Sequence, residues 1–166
     1  MTEEKFIPWV IEPAFGFGRI IYSLLEHSFQ IRDGKQILNL PPFMAPIKVT
    51  ICPLFTKPEF MKYLPQLEKS VKATGLSPKV DRTGVNIGKK YARNDEIGVP
   101  YAITIDHITF EDNTVTLREI LSTQQLRINI DEVSRVLADL CNGSATWVDV
   151  SQKYPHIEVA APEEKK

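Results

Sequence analysis

From residue 47 onward the chain alternates short runs rich in β-branched residues with stretches whose apolar residues recur at helical spacing. This alternation constrains the fold more than any bulk property does. Residues 47–54 read as a strand. Lys57 and Pro58 then open a helix whose apolar stripe is Phe60, Leu64, Leu67 and Val71. Pro65 falls inside that stretch, so the helix is expected to kink or to start late. Thr74-Gly75 ends it, glycine supplying a left-handed cap. Residues 77–82 form a second strand, 99–106 a third and 114–120 a fourth, joined to the third by a turn at Glu111-Asp112-Asn113. Residues 125–130 extend this to a fifth. Asp131 caps a helix with the stripe Val133, Val136, Leu137 and Leu140, closed by Asn142-Gly143. Residues 144–154 add a short helix carrying Trp147, and the tail, 156–166, is expected to be disordered. Helices would therefore pack on a sheet with both parallel and antiparallel pairs.

Between the second and third strands lies a basic segment. Five cations, Lys79, Arg82, Lys89, Lys90 and Arg93, face one carboxylate, Asp81, in a chain whose net charge is −1. So small a net charge argues against a general DNA or membrane coat, but it permits a local site for a phosphate backbone. In the predicted helix Ile87 and Tyr91 share one face, with Lys89, Arg93 and Glu96 roughly opposite. Lys89 and Arg93 are like charges four residues apart, which disfavours an isolated helix. An external anion would relieve the repulsion; Glu96 would do so from within, leaving only a solvated surface.

The region before residue 47 reads differently. Residues 6–11 are apolar enough for a buried strand. Gly16 and Gly18 precede a helix over 18–29 with Ile20, Ile21, Leu24 and Leu25 on one side and Arg19 in its first turn. This suits either a tight turn into a helix or an anion site; Ile21 breaks the dinucleotide-binding glycine pattern. Residues 30–46, with Gly34, Pro41, Pro42 and Pro46, read as a linker without regular structure, placing a domain boundary near Pro46.

Residues suited to catalysis or metal binding are scattered. His27, His107 and His156 lack triad or ligand companions, and Cys52 and Cys141 lack metal-ligand spacing, which leaves reduced thiols as the expectation. There is no apolar run of the roughly 20 residues a membrane span needs.

Two stretches resemble a known family. Residues 10–22, which include Glu12, Pro13, Ala14, Phe15 and Arg19, followed by Leu25-Glu26-His27, resemble the third class II motif of eukaryotic-type glycyl-tRNA synthetases. Residues 79–81, 87–98, 103–106, 116–118 and 143–155 resemble the anticodon-binding domain of the same enzymes. The resemblance implies an α/β fold: a mixed five-stranded sheet flanked by three helices, preceded by a strand-helix remnant of the class II catalytic domain. It divides the chain into the remnant and linker (1–46), the anticodon-binding domain (47–155) and the tail (156–166). It implies a grip on the anticodon stem-loop of glycine tRNA; the candidate RNA contacts are Lys89, Lys90 and Arg93 of the basic segment, with Arg82, Lys57 and Arg118 added from strand ends and loops. It assigns Arg19 to ATP and Glu12, with the Ala14 position, to glycine; the family usually has serine where Ala14 stands. ATP and magnesium would serve the full-length enzyme, a cytoplasmic homodimer with a mitochondrial location left open, and the fragment itself would bind neither cofactor. The first two class II motifs are absent, so this chain alone is expected not to form glycyl-adenylate, which a pyrophosphate-exchange assay would test. The alternative reading is a non-catalytic accessory module derived from a synthetase and working in another complex.

Overall fold

The computed structural model describes residues 3–157. Residues 3–16 have no regular structure, and Phe6, Ile7, Trp9, Val10 and Ile11 are exposed. The buried strand expected over 6–11 is therefore corrected. A strand needs a neighbour to complete its ladder, and none of the described strands pairs with this segment. Helix α1 (Phe17–Ser28) follows. Its apolar stripe forms as expected but meets no core: Ile20, Ile21 and Leu25 stay exposed, and Ser28 is its one buried residue among those described.

The expected linker is also corrected. Strands β1 (Phe29–Arg32) and β2 (Lys35–Leu38) pair as an antiparallel hairpin. Asp33 and Gly34 form its two-residue turn, with φ of 51° and 72°. Positive φ at both central positions matches the twist of the flanking strands.

The main unit starts with β3 (Val49–Pro53). Two helices follow, α2 (Pro58–Met61) and α3 (Leu64–Ala73), divided where Pro65 enters the first turn of α3. Then come β4 (Pro78–Val80), α4 (Ile87–Glu96) and β5 (Tyr101–Ile105). A short α5 (Thr109–Asp112) replaces the expected turn at 111–113; Asn113, at φ 56°, leads out of it into β6 (Thr114–Glu119). The described chain ends with β7 (Gln125–Asn129), α6 (Val133–Asn142) and α7 (Trp147–Lys153).

Five strands make one sheet in the order β4-β3-β5-β6-β7. β3 runs parallel to β4 and β5, while β6 and β7 are antiparallel. Alternation along each strand sends successive side chains to opposite faces. One face carries Val49, Ile51, Ile103, Ile105, Val115, Leu117, Leu126 and Ile128, which pack with α3 and α6 in the core. Each such side chain contributes about 1.5–3 kcal/mol on full burial, so this two-helix face holds most of the stability. The other face carries Thr104, Thr116, Arg118 and Arg127. α4 crosses only its β3–β5 side, where Tyr91 Oη lies 2.7 Å from Thr104 Oγ1.

Two smaller expectations change. Asp131 is not the side-chain cap of α6; instead Asn129 Oδ1 accepts from the Asp131 N–H at 3.0 Å. Of the expected tail, residues 156–157 belong to the fold: Ile157 donates its N–H to Gln125 O at 2.9 Å beside an isolated bridge between Leu126 and His156. Residues 158–166 lie outside the described residues.

Candidate nucleic-acid interface

Because α4 covers only part of the polar sheet face, a groove of about 560 Å³ stays open beside it. Tyr91, Ala92 and Asp95 of α4 form one wall. The polar face of β6 and β7, with Thr116, Arg118, Gln125 and Arg127, forms the floor. Leu54, Ile87 and Ile108 make an apolar end. A volume of this size lies within the roughly 300–1,000 Å³ typical of small-molecule sites, enough for unstacked bases rather than a duplex.

The cations behave in three ways. Lys90 is 1% exposed and donates to Pro53 O at 2.8 Å. Arg118 is 6% exposed and grips Asp95 with both terminal nitrogens at 2.9 Å, its guanidinium 4.6 Å from the Tyr91 ring centre. These two expected RNA contacts are corrected: Lys90 is a structural tie between α4 and β3, and Arg118 is a buried, ion-paired group on the groove floor. Arg93 is part-exposed but pairs with Asp81. That pairing displaces the expected roles of Glu96 and of a free Arg93.

Lys89, Arg82 and Lys57 remain accessible. Lys89 has no ion-pair partner among the described residues. Arg82 lies 3.8 Å from Glu68 and Lys57 lies 4.0 Å from Glu59, both in solvent. Exposed pairs of this kind are worth about 0–1 kcal/mol, so a phosphate can replace the carboxylates at little cost. These cations follow the carboxyl ends of β3 and β4 around a cleft lined by Leu54–Thr56 and Thr83–Ile87. The cleft shares Leu54 and Ile87 with the groove, so the two are continuous. Asn86 caps α4 there, accepting from the Lys89 N–H at 2.9 Å.

Sequence reasoning missed Arg127, Thr116 and Gln125 on the groove floor. Their signal was the polar residue at every second position of β6 and β7, opposite Val115, Leu117, Leu126 and Ile128. Arg127 donates through Nη2 to Asp106 Oδ1 at 2.8 Å and through Nη1 to Thr116 Oγ1 at 3.0 Å. Burial works to raise the Asp106 pKa, but the Arg127 hydrogen bond and charge, with Thr116 and Thr109, outweigh it and hold the carboxyl below its ordinary range. For Asp81 burial is likewise overcome, by the Thr83 hydroxyl and N–H and by Arg93. A depressed carboxyl adds stability that is complete above its unfolded-state pKa and is lost as pH falls through the folded value. The melting temperature is therefore expected to hold down to about pH 4 and to fall below it, and Asp106→Asn to flatten part of that fall. A melting temperature that ignores acid would contradict these networks.

The remaining candidates form no catalytic constellation. Glu12, Ala14 and Arg19 stand in solvent, with no side-chain hydrogen bond or ion pair among the described residues for Glu12 or Arg19; the Arg19 N–H donates to Gly16 O at 3.0 Å as α1 begins. An open segment of this kind does not by itself fit a nucleotide. His107 lies among Phe55, Phe60 and Phe110. Burial pushes the Cys52 thiol up to about 12 and Cys141 up to about 11, which keeps both protonated. Among the described residues no helix is long and apolar enough to cross a membrane.

Comparison with known proteins agrees with this geometry. The family described as "Anticodon binding domain" matches residues 48–140. The glycine--tRNA ligase of Drosophila melanogaster is 47% identical over 159 residues, covering 93% of this chain and 21% of that protein. Glycine--tRNA ligase 1, mitochondrial, of Saccharomyces cerevisiae is 41% identical, covering 86% of this chain and 21% of that protein. This chain thus spans about a fifth of the length of these relatives. Prolyl-tRNA synthetase from Cryptosporidium parvum, solved with L-proline and AMP, shares the fold with a TM-score of 0.57 at 24% identity, over 64% of this chain and 24% of that one. The matched span and the mixed sheet agree: this chain belongs to the anticodon-binding domain family, and the relatives it resembles here are glycine--tRNA ligases.

Proposed function

We propose that this chain binds the anticodon stem-loop of glycine tRNA, as the RNA-reading part of an enzyme that attaches glycine to that tRNA using ATP. The observation that carries the reading is the groove beside α4, whose floor and α4 wall lie within the span matched to the anticodon-binding family. Its lining offers the amide of Gln125 and the hydroxyl of Thr123, and its end is apolar. Unstacked loop bases need both, hydrogen-bonding edges and surface to cover their faces. Lys89, Arg82 and Lys57, along the adjoining cleft, contact the backbone and fix the register, while the groove supplies identity.

Activation of glycine, the Arg19, Glu12 and Ala14 roles, magnesium and the homodimer belong on this reading to the longer protein. The test is a titration of the chain with glycine tRNA and with the same tRNA carrying an exchanged anticodon. Tighter binding of the cognate molecule by at least about tenfold, or 1.4 kcal/mol, is expected. Equal affinity for both would overturn the reading.

A further inference from the structure

One wall of the groove comes from outside the span matched to the anticodon-binding family. Arg32, Asp33 and Lys35 of the β1–β2 hairpin line it, while the match begins at residue 48. We infer that this hairpin is a working part of the RNA site and that Lys35 is a backbone phosphate contact at its lip. The inference rests on the proposed anticodon reading and extends it to a residue that the family match does not reach.

The hairpin is held in a fixed position. Arg32 donates through Nη2 to Asp95 Oδ2 at 2.7 Å and through Nη1 to the Ile120 carbonyl. That carboxylate is the one Arg118 grips, so a single buried group ties the hairpin, α4 and β6 together. Ile37 is buried against the domain, and Leu40 just beyond β2 is buried too. Gly98, at φ 75°, lets the chain approach so closely that a Cβ would lie 2.8 Å from Leu38 O. Lys35 differs from all of these. It is exposed at the groove edge and has no ion-pair partner among the described residues. A cation placed by a rigid hairpin beside an open groove loses little freedom on meeting a phosphate.

The test measures binding of glycine tRNA by the whole chain as a function of salt. Lys35→Ala is expected to reduce the slope of log K against log salt by about 0.7–1 and to weaken binding roughly tenfold at 0.1 M salt. Preference for the cognate anticodon should be unchanged, because phosphate contacts carry no sequence information. Lys69→Glu, on α3 across the sheet, is the control and should change neither quantity. The Arg32→Ala variant supplies a second measurement: with the hairpin released, the further effect of Lys35→Ala should shrink, giving a non-additive cycle. A Lys35→Ala slope equal to that of the unaltered chain, or additive effects of the two substitutions, overturns the inference. If the unaltered chain fails to discriminate anticodons, the proposed function itself has failed. If it discriminates while Lys35→Ala changes nothing, only the hairpin inference has.

Discussion

Asp95→Asn is expected to destabilise this protein more than any other single exchange on the groove, by roughly 3–5 kcal/mol. Asp95 is 3% exposed and accepts from Arg118 and Arg32 at 2.7–2.9 Å. Asparagine keeps the volume but leaves the Arg118 guanidinium buried without its counter-charge. For a chain of 166 residues, about 2–4 °C per kcal/mol puts the fall in melting temperature on the order of 10 °C. The contrast is Lys57→Ala, which removes only an exposed 4.0 Å pair and should change stability by less than about 1 kcal/mol. Thermal unfolding followed by circular dichroism decides the matter. A shift of only a degree or two for Asp95→Asn would mean that the hub is not holding the three elements together.

The second large effect is on binding. Lys89→Glu combined with Arg82→Glu is expected to weaken glycine tRNA binding about a hundredfold at 0.1 M salt. Each lost phosphate contact costs roughly tenfold there, because log K falls with log salt by about 0.7–0.9 per contact. The salt slope should fall by close to two contacts, with the melting temperature nearly unchanged. The choice of residues matters. Lys90→Glu would bury a carboxylate against Pro53 O, and Arg93→Glu would set it against Asp81. Reversing those two would confuse folding with binding. An unchanged salt slope in the Lys89 and Arg82 double variant would remove this edge from the RNA path.

Particular residues show what the sequence disclosed. The stripe Val133, Val136, Leu137 and Leu140 is plain in the sequence, and all four side chains are buried. Pro65 marks the break between α2 and α3 because it removes a helix donor at a fixed place. Failures arose where burial and polarity part company. The inward stripe of α4 is Ile87, Lys90, Tyr91 and Asn94, spaced as any core stripe is, but two members are polar. A reading by charge sends Lys90 to solvent; only the carbonyl of Pro53, distant in sequence, draws it inward. Arg118 is hidden in the same way, since its partner Asp95 lies 23 residues earlier. In the sequence the prolines from Pro41 onward mask the hairpin, although Asp33-Gly34 is a strong two-residue turn signal. The groove was half legible: the basic stretch beside the third strand led to it, but its floor was written only in the polar alternation of β6 and β7.

The central claim is that anticodon bases enter the space between α4 and the polar face of β6 and β7. A photo-crosslinkable base placed within the anticodon of glycine tRNA, with the attached residue identified by mass spectrometry, tests it most directly. The account predicts attachment on the groove, at Ala92, Ile108, Thr123 or Gln125. Attachment on α3 or α6, across the sheet, or on the exposed α1, would contradict it.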